Sequence, residues 1–346
     1  MKIYLLSFAV ALIVALLATP AAKKLAFVIG AIDIPKDGRR VHKKPIPRLG
    51  GAAIYLGAII SILLFLPKTE ETFCIAAGCT IIAVLGIFDD KYELSPKVKL
   101  LGQIVAATVL IIGGVKIDWL TNPFGNGMIY LGIFALPLTL FWVVGITNAM
   151  NLIDGLDGLA AGIAIISSGS LFIVSLINGR YEAAIVTAAV TGAALGFLPY
   201  NFNPAKIFMG DTGSMFLGFV LSAVSIQGAV KSAAAIAIAV PILALGVPIF
   251  DTTFAIIRRT KNGKPIMQPD KGHLHHRLLE MGLTQIQAVL VMYGVSLFLG
   301  ISAVVISYIS GVKGLVILCI VVFIVMWGAE RMGLVGRHGS KHMNAN

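Results

Sequence analysis

The chain has 346 residues, 58% of them hydrophobic and only 12% charged, against roughly 45–50% and about 25% in an average soluble protein. With a mean hydropathy of +0.94, it has too few polar residues to cover the two soluble domains its length could suggest. Soluble and disordered architectures are excluded, and in a membrane protein the net charge of +11 speaks for topology before it speaks for nucleic acid.

Apolar stretches able to cross a bilayer need about 20 residues. They run near 3–22, 50–67, 72–88, 98–117, 129–149, 158–178, 182–200, 214–230, 233–257, 286–309 and 312–329. The fold class is therefore an all-α polytopic membrane bundle of eleven predicted transmembrane helices. One integral-membrane catalytic domain is expected over 1–330 and a tail over 331–346. Pro137, Pro241 and Pro248 interrupt some stretches, which protein-packed membrane helices tolerate. The first stretch reads as a retained helix, because Lys23 and Lys24 follow the apolar run whereas a cleavable signal carries its charge ahead of it. Cys74, Cys79 and Cys319 lie in apolar runs without a C-x-x-C and read as small hydrophobes.

The basic residues orient the bundle. If the loop after the first stretch is cytoplasmic, 21 of the 27 Lys and Arg share that side, which by the positive-inside rule puts the N-terminus outside and the C-terminus in the cytoplasm. Of the sixteen acidic residues, only Glu70, Glu71, Asp118 and Glu182 fall outside. Asp89, Asp90, Asp154, Asp157, Asp211 and Asp251 sit where helices meet cytoplasmic loops. One such carboxylate could simply reach water, but four separate helix ends deliver them to the same face and none lies at mid-depth. That pattern suggests an inner-surface site rather than a transmembrane ion path.

Four clusters carry the chemistry. The third stretch ends in Asp89-Asp90-Lys91-Tyr92-Glu93, where adjacent carboxylates repel unless a cation is near. A continuing helix would put Asp89 and Glu93 on one face, as a hard-cation site or a general base. The fifth runs into Asn148, Asn151, Asp154 and Asp157, a polar stripe if helical and an oxygen set that suits Mg²⁺ with substrate phosphate. Near 210, Gly210 and Gly213 flank Asp211, and Ser214 opens an apolar helix whose N-terminus attracts anions. Finally, His273-Leu274-His275-His276-Arg277 could be a zinc site or, with better support, a diphosphate clamp. The basic loop 33–48, with Arg39 and His42, fits topology signalling or anionic-lipid attraction, though neither explains His42 and the prolines. Together these features fit a phosphate-bearing soluble donor meeting a lipid-borne acceptor at the membrane surface.

The chain resembles the polyprenyl-phosphate N-acetylhexosamine-1-phosphate transferase family, in particular its bacterial undecaprenyl-phosphate N-acetylglucosaminyl (GlcNAc) branch. The resemblance rests on R-R-x-H-x-x-P-x-P-R-x-G-G within Asp33–Gly51, Asp89-Asp90, Asn148–Gly158, Asn203–Ser214 and His273–Arg277, in that order. It implies transfer of GlcNAc-1-phosphate from UDP-GlcNAc to undecaprenyl phosphate with release of UMP, at the cytoplasmic face of a bacterial inner membrane. It also implies Mg²⁺ or Mn²⁺ and a homodimer, with no nucleic-acid partner. By the same resemblance, Asp211 and Asn151 are metal ligands, and Asp89 and Asp90 deprotonate or position the lipid phosphate. Asp154 and Asp157 line the nucleotide site, while Arg39, His42, Asn148, His273, His275, His276 and Arg277 bind substrate. Glu93 departs from the family's D-D-x-x-D. Leu274 interrupts the three adjacent histidines of the MurNAc-pentapeptide branch and so favours GlcNAc. Direct attack by lipid phosphate and a covalent aspartyl intermediate both stay open. The rivals are an anionic-metabolite transporter, for which no internal repeat is evident, and a lipid-binding scaffold, which would not need the oxygen clusters.

Overall fold

The computed structural model describes residues 1–34, 45–121, 127–229, 238–263, 272–309 and 312–332. Arg39, His42 and most of the tail lie outside them. Helices occupy every expected apolar stretch. In chain order they are α1 (Lys2–Ile29), α2 (Gly50–Phe65), α3 (Glu70–Tyr92), α4 (Pro96–Ile112), α5 (Ala135–Ile153), α6 (Leu159–Ile177) and α7 (Tyr181–Asn201). They continue with α8 (Gly210–Ala229), α9 (Ala239–Ala244), α10 (Gly246–Lys261), α11 (Leu274–Glu280), α12 (Gln285–Tyr308) and α13 (Val312–Arg331). Two short antiparallel hairpins join Ile32–Asp33 to Ile46–Pro47 and Trp119–Thr121 to Met128–Tyr130.

Seven of these helical runs are long and apolar enough to cross a membrane, so the protein is a polytopic, essentially all-helical membrane protein. The ninth stretch departs from the expectation of one continuous helix. It is divided at Leu245 between α9 and α10, where Pro248 lacks the N–H that would bond back to the preceding turn. The run around His273–Arg277 opens α11, with His273 as its N-cap.

α8 occupies the centre. Met215, Phe216, Leu217, Phe219, Val220 and Leu221 are all essentially inaccessible, as expected of a helix apolar on every side. It packs against α3, α5 and α2. α1 lies against α7 and α2 and is joined to both by Ser7, whose hydroxyl meets Ser61 Oγ at 2.8 Å and donates to the Ile185 carbonyl at 3.1 Å. Such interhelical hydroxyl bonds supply adhesion where lipid offers no hydrophobic drive between helices.

Candidate active site

The site is built around the first turn of α8. The strand leading into α2 runs beside residues 207–209: Phe208 N donates to Pro47 O, and Gly50 N and Gly51 N donate to Phe208 O and Met209 O at 2.9 and 2.8 Å. This pairing brings α2 onto α8 so tightly that a Cβ at Gly51 would lie 2.0 Å from Gly213 N. α3 approaches as closely, since a Cβ at Gly86 would lie 2.3 Å from Thr212 Cα. Only glycine permits either approach.

One turn beyond Gly86, Asp90 is placed at the open end of α8. Its buried carboxylate accepts from Asp211 N at 2.8 Å, Thr212 N at 3.1 Å and Thr212 Oγ1 at 2.6 Å. The anion that the start of α8 attracts is therefore the protein's own Asp90. α8 also begins at Gly210, four residues before the Ser214 start expected from sequence.

Asp89 faces another way. One oxygen accepts from Leu94 N at 2.7 Å, and the other from Lys99 Nζ at 2.8 Å. The same ammonium donates to Asp211 Oδ2 at 2.8 Å, so one lysine of α4 joins two carboxylates from α3 and α8. Arg48 Nη2 stands 3.7 Å from Asp90 Oδ1 and 3.8 Å from Asp211 Oδ1. Two cations thus offset three carboxylates in a partly desolvated corner, which keeps the cluster from repelling itself apart. Glu93 takes no part: α3 ends at Tyr92, and Glu93 is its exposed left-handed cap with φ +51°.

Of this cluster, Arg48 and Asp211 line a cavity of about 830 Å³, together with Asn151, Asp154, Asp157 and His276. The expected polar stripe from Asn148 to Asp157 is broken, because α5 stops at Ile153 and Asp154 is its C-cap. Asn148 does not line the cavity. It forms a reciprocal amide pair with Gln103 of α4, at 2.7 and 3.2 Å. Asn151 donates to Ser214 Oγ at 3.0 Å, leaving its side-chain Oδ1 without a hydrogen bond among the described residues. In the turn that follows, Asp157 Oδ2 accepts from Asn203 Nδ2 and Ala205 N, both at 3.0 Å.

Burial, followed by the nearby carboxylates of Asp211 and Asp90, pushes the Asp154 carboxyl up to about 7. The unfolded carboxyl releases its proton near pH 4, so the folded state binds more protons between about pH 4 and 7 and stability falls as pH rises through that window. Asp154→Asn removes this loss. Its melting temperature relative to wild type is expected to gain roughly 2–4 °C between pH 5 and pH 8, measured by thermal unfolding in detergent. A gap that does not change with pH would show that Asp154 carries no such charge.

The basic helix α11 is held from below. Asp251 of α10 accepts from Leu274 N at 2.6 Å and meets His273 Nδ1 at 2.8 Å. His275 is buried over Gly155, where an added Cβ would lie 2.4 Å from Nε2. Burial and the neighbouring His276 hold its imidazole at about 3, so it is neutral at working pH and contributes no positive charge. Only His276 of the three histidines reaches the cavity, and Arg277 stands 3.5 Å from Glu280. Among the described residues no three His, Cys, Asp or Glu side chains converge as metal ligands, which removes the zinc alternative for the described histidines. Lys99 is the participant that sequence reading leaves out; Arg48, inside the 33–51 motif, and Asp251, at a helix end, are in that reading without a role. Lys99 carries one weak signal, a lysine at the second position of the apolar stretch 98–117.

The fold and site define a membrane-embedded protein with a charged cavity framed by carboxylates, lysine and arginine. Residues 72–229 match the model of glycosyl transferase family 4. The chain is 47% identical over 330 residues to the probable undecaprenyl-phosphate N-acetylglucosaminyl 1-phosphate transferase of Bacillus subtilis, covering 95% of this chain and 92% of that protein. It is 40% identical to the decaprenyl-phosphate N-acetylglucosaminephosphotransferase of Mycolicibacterium smegmatis, over 85% of this chain and 79% of that one. It is 34% identical to the phospho-N-acetylmuramoyl-pentapeptide-transferase of Halalkalibacterium halodurans, over 79% and 87%. The chain belongs to glycosyl transferase family 4 and is a transferase.

Proposed function

We propose that the protein transfers GlcNAc-1-phosphate from UDP-GlcNAc to undecaprenyl phosphate, giving undecaprenyl-diphospho-GlcNAc and UMP, the first lipid-linked step of a cell-envelope glycan. The observation that carries this reading is the 47% identity to the Bacillus protein across nearly the whole of both chains. The lower identity to the muramoyl-pentapeptide enzyme favours GlcNAc as the sugar. Eleven crossings are inferred from the apolar stretches, and an outside N-terminus and a cytoplasmic cavity from the asymmetry of the basic residues.

The residues fit a divalent cation of the magnesium type. Asp211 offers a carboxylate oxygen to the cavity and Asn151 its side-chain Oδ1. Mg²⁺ takes one or two such protein oxygens and fills its remaining positions with water and substrate phosphate. When bound, the ion would neutralise charge developing on the diphosphate and the departing UMP. Lys99 holds Asp89 and Asp211 together and supplies positive charge to an incoming phosphate. Asp89 keeps that ammonium directed at the cavity corner. Asp90 acts through α8, since both its oxygens cap that helix, and Asp89 acts through Lys99, which it shares with the cavity-lining Asp211. Asp154 and Asp157 line the nucleotide side.

Sealed right-side-out vesicles test activity and orientation together. UDP-GlcNAc added outside gives UMP only after permeabilisation, and only when undecaprenyl phosphate is present. Turnover in intact vesicles would reverse the topology, and no turnover after permeabilisation would remove the assignment.

A further inference from the structure

We propose that Gln285, the first residue of α12, is a donor-binding residue whose side-chain N–H takes a hydrogen-bond acceptor of the uridine nucleotide. This rests on the reading that the cavity receives UDP-GlcNAc beside Asp154 and Asp157. Gln285 lies in none of the motifs that carry the family resemblance, yet it lines the cavity.

The orientation of its amide is dictated by its neighbours. Asp157 Oδ2 already accepts from the Ala205 N–H, and a carboxylate oxygen in that position accepts from Asn203 as well. Asn203 must therefore turn its NH₂ toward Asp157, at 3.0 Å. The same NH₂ gives its second hydrogen to Gln285 at 2.8 Å, so Gln285 must present its oxygen there and its Nε2 away from it. That Nε2 donates to no partner among the described residues, and the residue is half-buried.

The backbone that carries it is fixed at both ends. Thr284 and Gln287 form a reciprocal capping box that sets the start of α12. Farther along the same helix, Tyr293 Oη donates to the Gly158 carbonyl at 2.6 Å, tying α12 to the turn just past Asp157. A donor held this way at a cavity wall selects for an oxygen acceptor. Uridine nucleotides offer three kinds, the uracil carbonyls, the ribose hydroxyls and the diphosphate oxygens.

Gln285→Glu keeps an acceptor for Asn203 but adds a charge that repels any anionic nucleotide, so the neutral Gln285→Met variant carries the decision and the Glu variant sets the upper limit of the effect. Calorimetry on purified protein should show the Kd for UDP-GlcNAc raised about tenfold, with the KM for undecaprenyl phosphate and the melting temperature unchanged. Gln285→Met, which loses the donor without adding charge, should weaken binding by less and covers a failure of the Glu variant to fold. A UMP affinity that falls equally assigns the contact to the uracil, ribose or α-phosphate that UMP retains, and loss confined to UDP-GlcNAc assigns it to the β-phosphate or the sugar. Wild-type affinity in Gln285→Met would overturn the proposal while leaving the functional reading intact. A wild-type protein that binds neither UMP nor UDP-GlcNAc would remove that reading, and this proposal with it.

Discussion

Asp211→Asn is expected to lower turnover by at least about two decades, since the cation it would hold supplies several kcal/mol of charge stabilisation, while the fold is retained. The reason for retention is local. Asp211 shares Lys99 with Asp89 and stands beside Asp90 and Arg48. An Asn oxygen can still accept from Lys99, and removing one carboxylate relieves repulsion within the cluster. The measurement is turnover at saturating Mg²⁺ beside the melting temperature of the same preparation. Near-normal turnover would take Asp211 out of the site.

Asp90→Ala is expected to behave in the opposite way. It removes the acceptor for two backbone N–H groups and the Thr212 hydroxyl at the buried start of α8, and leaves Arg48 with one carboxylate fewer. Unmaking a buried charged acceptor of this kind costs about 3–5 kcal/mol. Activity and thermal stability should therefore fall together, and Asp90→Asn, which keeps one acceptor oxygen but turns an NH₂ toward those donors, should fall between. If Asp90→Ala lost activity with its melting temperature intact, Asp90 would have a direct role in the chemistry.

The contrast between these neighbours explains how much was legible in the sequence. Helix positions could be read because they rest on runs of apolar residues, a property of neighbours along the chain. The clusters around Asp89, Asp154 and Asp211 could be placed near one another because each stands at a helix end on one face. What could not be read was direction. Asp89 and Asp90 differ by 100° around α3, and this alone makes one a partner of Lys99 and the other the cap of α8. Asn148 and Asn151 lie three residues apart on α5, yet one pairs with Gln103 and the other faces Ser214 at the cavity. Lys99 is hidden for a different reason, because a lysine near a membrane helix end satisfies the positive-inside rule without any further role. The break between α9 and α10 was signalled by Pro248, but proline in membrane helices is too often tolerated for the signal to decide.

The central claim is that the bond broken lies between the two phosphates of the donor, so that phosphate travels with the sugar. Incubation of purified protein and Mg²⁺ with undecaprenyl phosphate and UDP-GlcNAc carrying radiolabel in the β-phosphate tests it most directly. The account expects the label in an undecaprenyl-linked product, with one unlabelled UMP released for each lipid formed. Label recovered in UDP, with only the sugar moved to the lipid, would contradict it.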